Sequence, residues 1–443
     1  MKKYKINIAV VVLLFVATIL QTGCKKDYVD PSKALPVDAL TTPRGLTAVV
    51  VGLQRVYTLG RGSTLYNKIT INGLTTNELI VVNTGNTAEV QLAAGGNTVD
   101  GNNTMLTQYW TTCNKTIFDA DNVLLNAPNL ADKNYASGLI AYASIFKALS
   151  IGDMAQFWEK VPAGIGANVT FIDRVDGFKK AITIIDAALA GIAANPISNS
   201  FLLSITQNPP PPAPPTPNPG IDIVNTLNAL KARYSLYAGL YPQALTAANA
   251  VDITFPKKSV FNFDAAALNP VFETATATNN VVQPTGASLG LIPAFAPAAT
   301  DSRVSFYTTG SPLYRLNNFY NAAATPIPVY LPGEVTLIKA ECYARANDST
   351  NSKTFLNAVI TKTAAADAFG VGANQPAMNS FGSYAALLDE IYRQRCIEMF
   401  LSGNKLEDMR RFARPNAERK RNLMPYPTRE RDNNTNTPPN PPF

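Results

Sequence analysis

The sequence predicts an all-α, mainly helical protein in which TPR-like helical hairpins form a scaffold and long irregular loops cover one face. Two observations support this prediction. Apolar residues recur three or four positions apart over long stretches, which places them on one side of a helix. The segments between these stretches are rich in Pro, Asn, Thr and Gly, which favour turns and loops. The strongest helical patterns cover 104–127, 134–151, 222–241 and 384–401.

The apolar stripes of these helices are continuous. The stripe of 104–127 consists of Leu106, Trp110, Cys113, Ile117, Ala120 and Leu124. The stripe of 222–241 consists of Ile223, Leu227, Leu230, Tyr234, Tyr237 and Tyr241. Weaker patterns predict shorter helices over 43–58, 176–193, 242–251, 333–346 and 352–365.

Two pairs of these helices form predicted hairpins. The first pair breaks at Pro242, a residue that suits the first turn of a second helix. The second pair breaks at the polar turn from Asn347 to Asn351. Stacked hairpins of about 34 residues are typical of tetratricopeptide repeats. Because the repeat consensus itself is weak here, we describe the hairpins only as TPR-like.

Long irregular segments separate the helices. Residues 60–103 are rich in Asn, Thr and Gly, and 208–220 is a Pro-rich stretch that we interpret as a surface loop. Residues 254–330 contain many Pro, Ala, Asn and aromatic residues with few helix signals. An irregular segment of that length in a compact domain usually folds over a scaffold and carries function.

The N-terminus predicts a secretory signal. Lys2, Lys3 and Lys5 precede an uncharged apolar stretch, 8–20, which is shorter than the roughly 20 residues of a spanning helix. The sequence that leads into Cys24 resembles a bacterial lipobox, so we expect residues 1–23 to be removed and Cys24 to carry lipid. A retained anchor helix, or cleavage that leaves a free thiol, are the alternatives. Residues 24–443 then form a single domain.

The composition excludes several kinds of site. The chain has no histidine, which rules out His-based metal sites and catalytic dyads. Cys113, Cys342 and Cys396 are expected as buried thiols, with one disulfide as the alternative. The formal charge of +7 becomes +4 without the three signal lysines, which gives no support for nucleic-acid binding. We expect no metal and no cofactor.

The C-terminal half carries a family resemblance. The segments "VYLPGEVTLIKAECYARAND", "YRQRCIEMFLSGNKLEDMRRFARP" and "RNLMPYPTRERDNNTNTPPNPPF" occur in this order. Together they resemble the SusD/RagB family of nutrient-binding lipoproteins. In the N-terminal half, "QYWTTCNKTIFDADNVLLNAP" and "GLIAYASIFKALSIGDMAQFWEKVP" are similar to two further helices of that family.

The resemblance implies a function. Family members lie on the outer face of the outer membrane, where they act as the lid of a TonB-dependent, SusC-type barrel transporter and deliver an oligosaccharide or other nutrient to it. They bind their ligand and do not cleave it. Two alternatives remain open: a TPR-like surface scaffold that binds only protein, and a helical glycoside hydrolase.

Because the family's ligand site lies on loops, the resemblance makes the aromatic and planar polar side chains of the irregular segments the candidates for ligand binding. Rigid aromatic rings bind a sugar face with little entropy cost. Each candidate has a local packing or surface role as its alternative, and Asp301 with Arg303 would also fit a loop-fixing ion pair. The candidate ligand-binding residues are Asn72, Asn77, Glu78, Arg303, Phe306, Tyr307, Tyr314, Arg315 and Tyr320.

The C-terminal motif predicts a structural framework. Gly403 can take the left-handed conformation that ends a helix. The turn that follows brings Asp408 near Arg411, and arginine–carboxylate pairs there would lock the two segments together. The residues assigned to this framework are Arg395, Glu398, Gly403, Asp408 and Arg411.

Overall fold

Helices form most of the chain that the structure describes. The computed structural model describes residues 40–206, 220–277, 281–311 and 314–443. The predicted signal peptide 1–23, the predicted lipid-anchor residue Cys24, and the Pro-rich segment 208–220 except Gly220 lie outside the described residues. The helices in the first half are α1 (Pro43–Thr58), α2 (Thr64–Thr75), α3 (Thr87–Ala94), α4 (Thr104–Asn126), α5 (Lys133–Phe157), α6 (Arg174–Ala194) and α7 (Asn199–Ser204). Those in the second half are α8 (Ile223–Tyr237), α9 (Tyr241–Asn249), α10 (Ser302–Tyr307), α11 (Pro332–Arg345), α12 (Ser349–Ile360), α13 (Tyr384–Glu398), α14 (Lys405–Arg411) and α15 (Thr428–Asn433).

Successive long helices pack against one another and confirm the all-α prediction. Contacts run from α1 to α4, α4 to α5, α5 to α6, α6 to α8, α8 to α9, α9 to α11 and α11 to α12. The pairs α8–α9 and α11–α12 are the two predicted hairpins, and α9 packs on α11. Pro242 lies in the first turn of α9, as the sequence indicates.

Local chemistry explains where these helices begin. In α1 the Thr42 side chain accepts a hydrogen bond from the backbone N–H of Gly45, and Pro43 occupies the first turn. The Asp132 side chain caps α5 in the same way, through the N–H of Tyr135. In α5, the one described helix long and apolar enough to span a membrane, 89% of the apolar window is buried. It is therefore the central core helix.

Several helix ends differ from the sequence prediction, including that of 352–365, which is observed as Ser349–Ile360. The helix predicted over 134–151 continues to Phe157, and that predicted over 222–241 ends at Tyr237. The helix predicted over 384–401 ends at Glu398, because Leu401 takes a positive φ of 54° two residues before Gly403 at 77°. A left-handed residue cannot continue a right-handed helix.

The segment 60–103 is less irregular than predicted, since it contains α2 and α3. Every residue of α2 is buried, including Thr and Asn side chains, so its sequence shows no separate polar face. A helix that is buried on all sides lacks the amphipathic pattern by which helices are recognised. This is why the prediction missed it.

Four short antiparallel ribbons complete the fold. The strands are β1 (Leu79–Val81), β2 (Lys160–Pro162), β3 (Phe171–Asp173), β4 (Val260–Phe261), β5 (Val282–Pro284), β6 (Thr308–Thr309), β7 (Arg315–Leu316) and β8 (Ile327–Pro328). They pair as β1 with β5, β2 with β3, β4 with β8, and β6 with β7. Segment 254–330 therefore folds over the helices mainly as ribbons and short turns of helix.

Candidate ligand-binding site

The β1–β5 ribbon joins the two irregular segments in which the sequence placed the ligand residues. Ile80 lies opposite Gln283 in this antiparallel pair. The backbone N–H of Val82 donates to the carbonyl of Val281 at 3.0 Å, and that of Thr285 donates to the carbonyl of Glu78 at 3.0 Å. Residues about 200 positions apart in the chain thus share one surface.

The β6–β7 hairpin extends this surface. Thr309 lies opposite Arg315, and β7 packs against β5. Gly286 has a φ of 146°, and a Cβ atom there would lie 3.3 Å from the ring of Tyr314. Glycine at this position lets the Tyr314 ring lie close to the backbone after β5. We call the surface formed by residues 79–86, 281–288, 308–311 and 314–316 the ribbon face.

The ribbon face combines exposed apolar and polar groups. Ile80 and Val82 are 47% and 42% exposed, although both are large hydrophobic residues. Tyr314 and Arg315 are half-buried. A polar cleft of about 340 Å³ borders the face beyond β1 and is lined by residues that include Arg61, Asn86 and Gln108. An aromatic ring beside polar side chains is the composition that sugar recognition uses.

Asn72 and Glu78 lie beneath the ribbon face and are fully buried. The Asn72 side-chain amide donates to Glu78 Oε2 at 2.8 Å, and its Oδ1 accepts from the N–H of Leu406 at 2.8 Å. Glu78 Oε1 accepts from the N–H of Leu401. Burial raises the pKa of Glu78 above its ordinary value, and nearby Lys405 acts in the opposite direction. Both side chains therefore support the surface and are closed to solvent.

Arg303, Tyr307 and Tyr320 are also interior residues, each 2% exposed or less. Arg303 pairs with Asp301 at 2.7 Å and with Glu398 at 3.0 Å, so it fixes the loop as the alternative interpretation expected. The Tyr320 hydroxyl donates to the Leu401 carbonyl at 2.9 Å, and that of Tyr307 donates to the Glu398 carbonyl. In this structure none of the three side chains is open to a ligand.

The other predicted ligand residues lie nearer the surface. Asn77 is half-buried with a φ of 64°, and its amide donates to the Glu418 carbonyl at 3.1 Å. Phe306 is half-buried against Phe319, with ring centroids 5.3 Å apart. Only Tyr314 and Arg315 of the predicted set lie on the ribbon face itself.

Sequence reasoning missed the exposed apolar pair of the ribbon face. Ile80 and Val82 belong to the stretch "ELIVVNTGN", from which only the polar residue Glu78 was predicted to bind a ligand. Residues two apart in a strand point to the same side, which is the available signal. Only the pairing with β5 shows that this side faces solvent.

Of the predicted C-terminal framework residues, Arg395, Glu398 and Asp408 are buried and Arg411 is half-buried. Asp408 accepts from Arg395 at 3.0 Å and from Arg411 at 2.6 Å. Arg411 also pairs with Glu341 of α11 at 2.6 Å, which ties α14 to the second hairpin. Gly403 has a φ of 77°, and the Lys68 side chain covers it.

The described cysteines, Cys113, Cys342 and Cys396, are free buried thiols without a disulfide among them. Within the residues that the structure describes, no group of His, Cys, Asp or Glu could hold a metal ion. Trp110 and Trp158 are 4% and 0% exposed and pack edge to face in the core. Neither forms an exposed aromatic platform.

The chain is similar to one protein family model and to several solved structures. A model of the SusD family matches residues 304–441. A SusD superfamily protein from Bacteroides fragilis aligns over 90% of this chain and 99% of its own, with 16% identity and a TM-score of 0.63. A SusD homolog from Bacteroides thetaiotaomicron aligns over 90% and 98%, with 14% identity and a TM-score of 0.64.

A third similar structure is a SusD-like carbohydrate binding protein from Bacteroides fragilis. It aligns over 85% of this chain and 87% of its own, with 14% identity and a TM-score of 0.63. No curated protein sequence matches the chain. At these identities the structural likeness establishes a shared fold.

Proposed function

We propose that the chain belongs to the SusD/RagB family, whose model matches residues 304–441, and that it is a non-catalytic glycan-binding lipoprotein of the cell outer membrane. In this proposal it is the lid and delivery partner of a TonB-dependent, SusC-type barrel transporter. Cys24 carries the lipid that holds it on the membrane, and the domain faces outward. The ribbon face is the observation that supports the proposal most directly.

The ribbon face suits binding of an oligosaccharide. Tyr314 offers an aromatic ring that lies close to the backbone at Gly286. Arg315 and the amide side chains of Asn83 and Gln283 lie in the same surface. Phe306 and Asn77 remain proposed contacts at its margin. A rigid ring that is already placed loses little entropy when a sugar stacks on it.

The charges of the ribbon face favour binding over hydrolysis. A glycoside hydrolase uses two carboxylates roughly 5–10 Å apart across the bound sugar. The ribbon face contains no Asp or Glu at all. A helical glycoside hydrolase would release reducing sugar from a polysaccharide, and we expect none to be released here.

A glycan array followed by calorimetric titration tests the proposal. With the glycan that the array identifies, Tyr314→Ala is expected to weaken binding about tenfold or more, as for an aromatic anchor. Tyr384→Ala is the matched control, because Tyr384 is 45% exposed at the start of α13 and lies outside the ribbon face. Both variants should keep the helical circular dichroism of the native protein.

Two outcomes would contradict the proposal at different points. Equal affinity of native protein and Tyr314→Ala would remove the ribbon face as the site. Binding to a SusC-type barrel without binding to any saccharide would favour the TPR-like scaffold that binds only protein.

A further inference from the structure

We infer that the ribbon face selects glycans that carry an anionic group, a carboxylate or a sulfate, and that Arg315 binds this group. The inference rests on the proposed function and specifies its ligand class. Three observations support it: the charge of the surrounding segments, the surroundings of the Arg315 side chain, and the geometry of guanidinium pairing.

The ribbon face has a single formal charge. Segments 79–87 and 281–300 contain no charged residue, and 308–333 contains only Arg315. In the bordering cleft, Arg61 pairs with Glu89, so the two charges there offset each other. A ligand on this surface therefore meets one positive charge among neutral Asn, Gln, Thr and Tyr side chains.

Arg315 is also the least satisfied partly buried arginine of the described chain. Its guanidinium donates one hydrogen bond, from Nη1 to the carbonyl of the adjacent Tyr314 at 3.1 Å. Among the described residues no carboxylate lies within 4.0 Å of it. The other buried or half-buried arginines pair with a carboxylate or, like Arg419 and Arg421, donate at least two hydrogen bonds.

The half-buried guanidinium of Arg315 has lost part of its hydration, and most of its N–H donors have no hydrogen-bond acceptor among the described residues. Its planar fork fits a carboxylate or sulfate through two parallel hydrogen bonds, which are stronger than bonds to a neutral hydroxyl. Because no acid of the described chain competes, the pairing position is open to a ligand. Tyr314 is adjacent in sequence and half-buried on the same surface, so one sugar unit can contact the ring and the cation together.

Matched glycans provide the test. Uronic-acid oligosaccharides are compared with their carboxyl-reduced forms, and sulfated oligosaccharides with their desulfated forms. Each pair differs only in the anionic group, so the two arms also distinguish carboxylate from sulfate. The native protein is expected to bind at least one anionic form about tenfold to a hundredfold more tightly than its neutral counterpart. That preference should decrease as salt is raised.

Arg315→Gln should abolish the preference, so that the anionic and neutral forms bind with equal affinity. Arg315→Lys should restore part of it, because charge remains while the bidentate geometry is lost. Arg55→Gln is the matched control, since Arg55 is an exposed arginine of α1. Neither Arg315 nor Arg55 pairs with a carboxylate of the described chain, so replacing either with glutamine leaves no unpaired acid and both variants should fold.

Equal binding of charged and neutral forms, or binding restricted to neutral glycans, would overturn the inference and leave the proposed function intact. A preference that persists in Arg315→Gln would overturn the assignment of the residue. If no saccharide of any charge binds, the proposed function itself fails.

Discussion

At the scale of single residues, burial decides whether a polar side chain is structural or available. Arg303 and Arg315 are 12 positions apart in one irregular segment and have the same chemistry. Arg303 is fully buried and donates to Asp301, Glu398 and Gln394. Among the described residues, Arg315 donates a single hydrogen bond, to the carbonyl of the adjacent Tyr314. The sequence offers Asp301 as a neighbouring partner of Arg303, but only the fold adds Glu398 and Gln394 from the distant helix α13.

Glu398 provides a prediction at this scale. Its two carboxylate oxygens accept from Arg303 at 3.0 Å and from Lys362 at 2.6 Å, and it is fully buried. Glu398→Ala leaves both cations without this partner, so we expect the free energy of unfolding to fall by about 3–5 kcal/mol. Chemical denaturation of the two proteins measures the difference.

Glu159→Ala is the control for this prediction, because Glu159 is exposed and lies two residues after the end of α5. Its effect should stay within about 0.5 kcal/mol. A Glu398→Ala protein as stable as this control would show that the buried pairs contribute little to stability.

At the scale of elements, small residues set how closely the helices approach. A Cβ atom added to Gly152 of α5 would lie 2.2 Å from the ring of Tyr234 on α8. The apolar stripe predicts that Tyr234 faces the core, but not that it lies against a glycine. Gly191 of α6 differs, because a Cβ atom there would meet nothing within 4 Å.

These two glycines form a matched pair of substitutions. Gly152→Ala should destabilise the protein by about 1–3 kcal/mol through overpacking at the α5–α8 contact. Gly191→Ala should stabilise it by up to about 1 kcal/mol, because alanine favours the helix and the space is free. Thermal unfolding followed by circular dichroism should therefore show shifts of opposite sign. If both variants melted at a higher temperature, helix propensity would outweigh packing even at Gly152. If both melted at a lower temperature, the space beside Gly191 would not be free.

At the scale of the whole molecule, the helical array holds the ribbon face, and in the proposed function a lipid on Cys24 attaches the domain to the membrane. The ribbon face is formed by residues from both halves of the chain. Beneath it, the hydrogen bond between Asn72 of α2 and Leu406 of α14 supports the face. Function in this proposal needs both parts: a surface that binds a glycan and a tether that keeps it beside the transporter.

The tether gives the prediction at this scale. Cys24→Ala, which removes the site of lipidation, should move the protein from the membrane fraction to the soluble fraction, because several acyl chains supply the membrane affinity. Glycan affinity of the soluble form should equal that of the lipidated form. Cys113→Ala is the control, because Cys113 is a buried thiol of the core. The Cys113→Ala protein should stay in the membrane fraction. A Cys24→Ala protein that remains membrane-bound would contradict lipid anchoring.

The sequence by itself determined the helical class, the long helices and the two hairpins. These features follow from local periodicity and short-range pairing, which a single chain displays directly. The tertiary structure decided which loop residues are open to solvent. Asn72, Glu78, Arg303, Tyr307 and Tyr320 are interior, whereas Tyr314, Arg315 and Ile80 are at least partly exposed on the ribbon face. That division depends on β1 pairing with β5 across about 200 residues, a long-range contact that leaves no periodic pattern in the sequence.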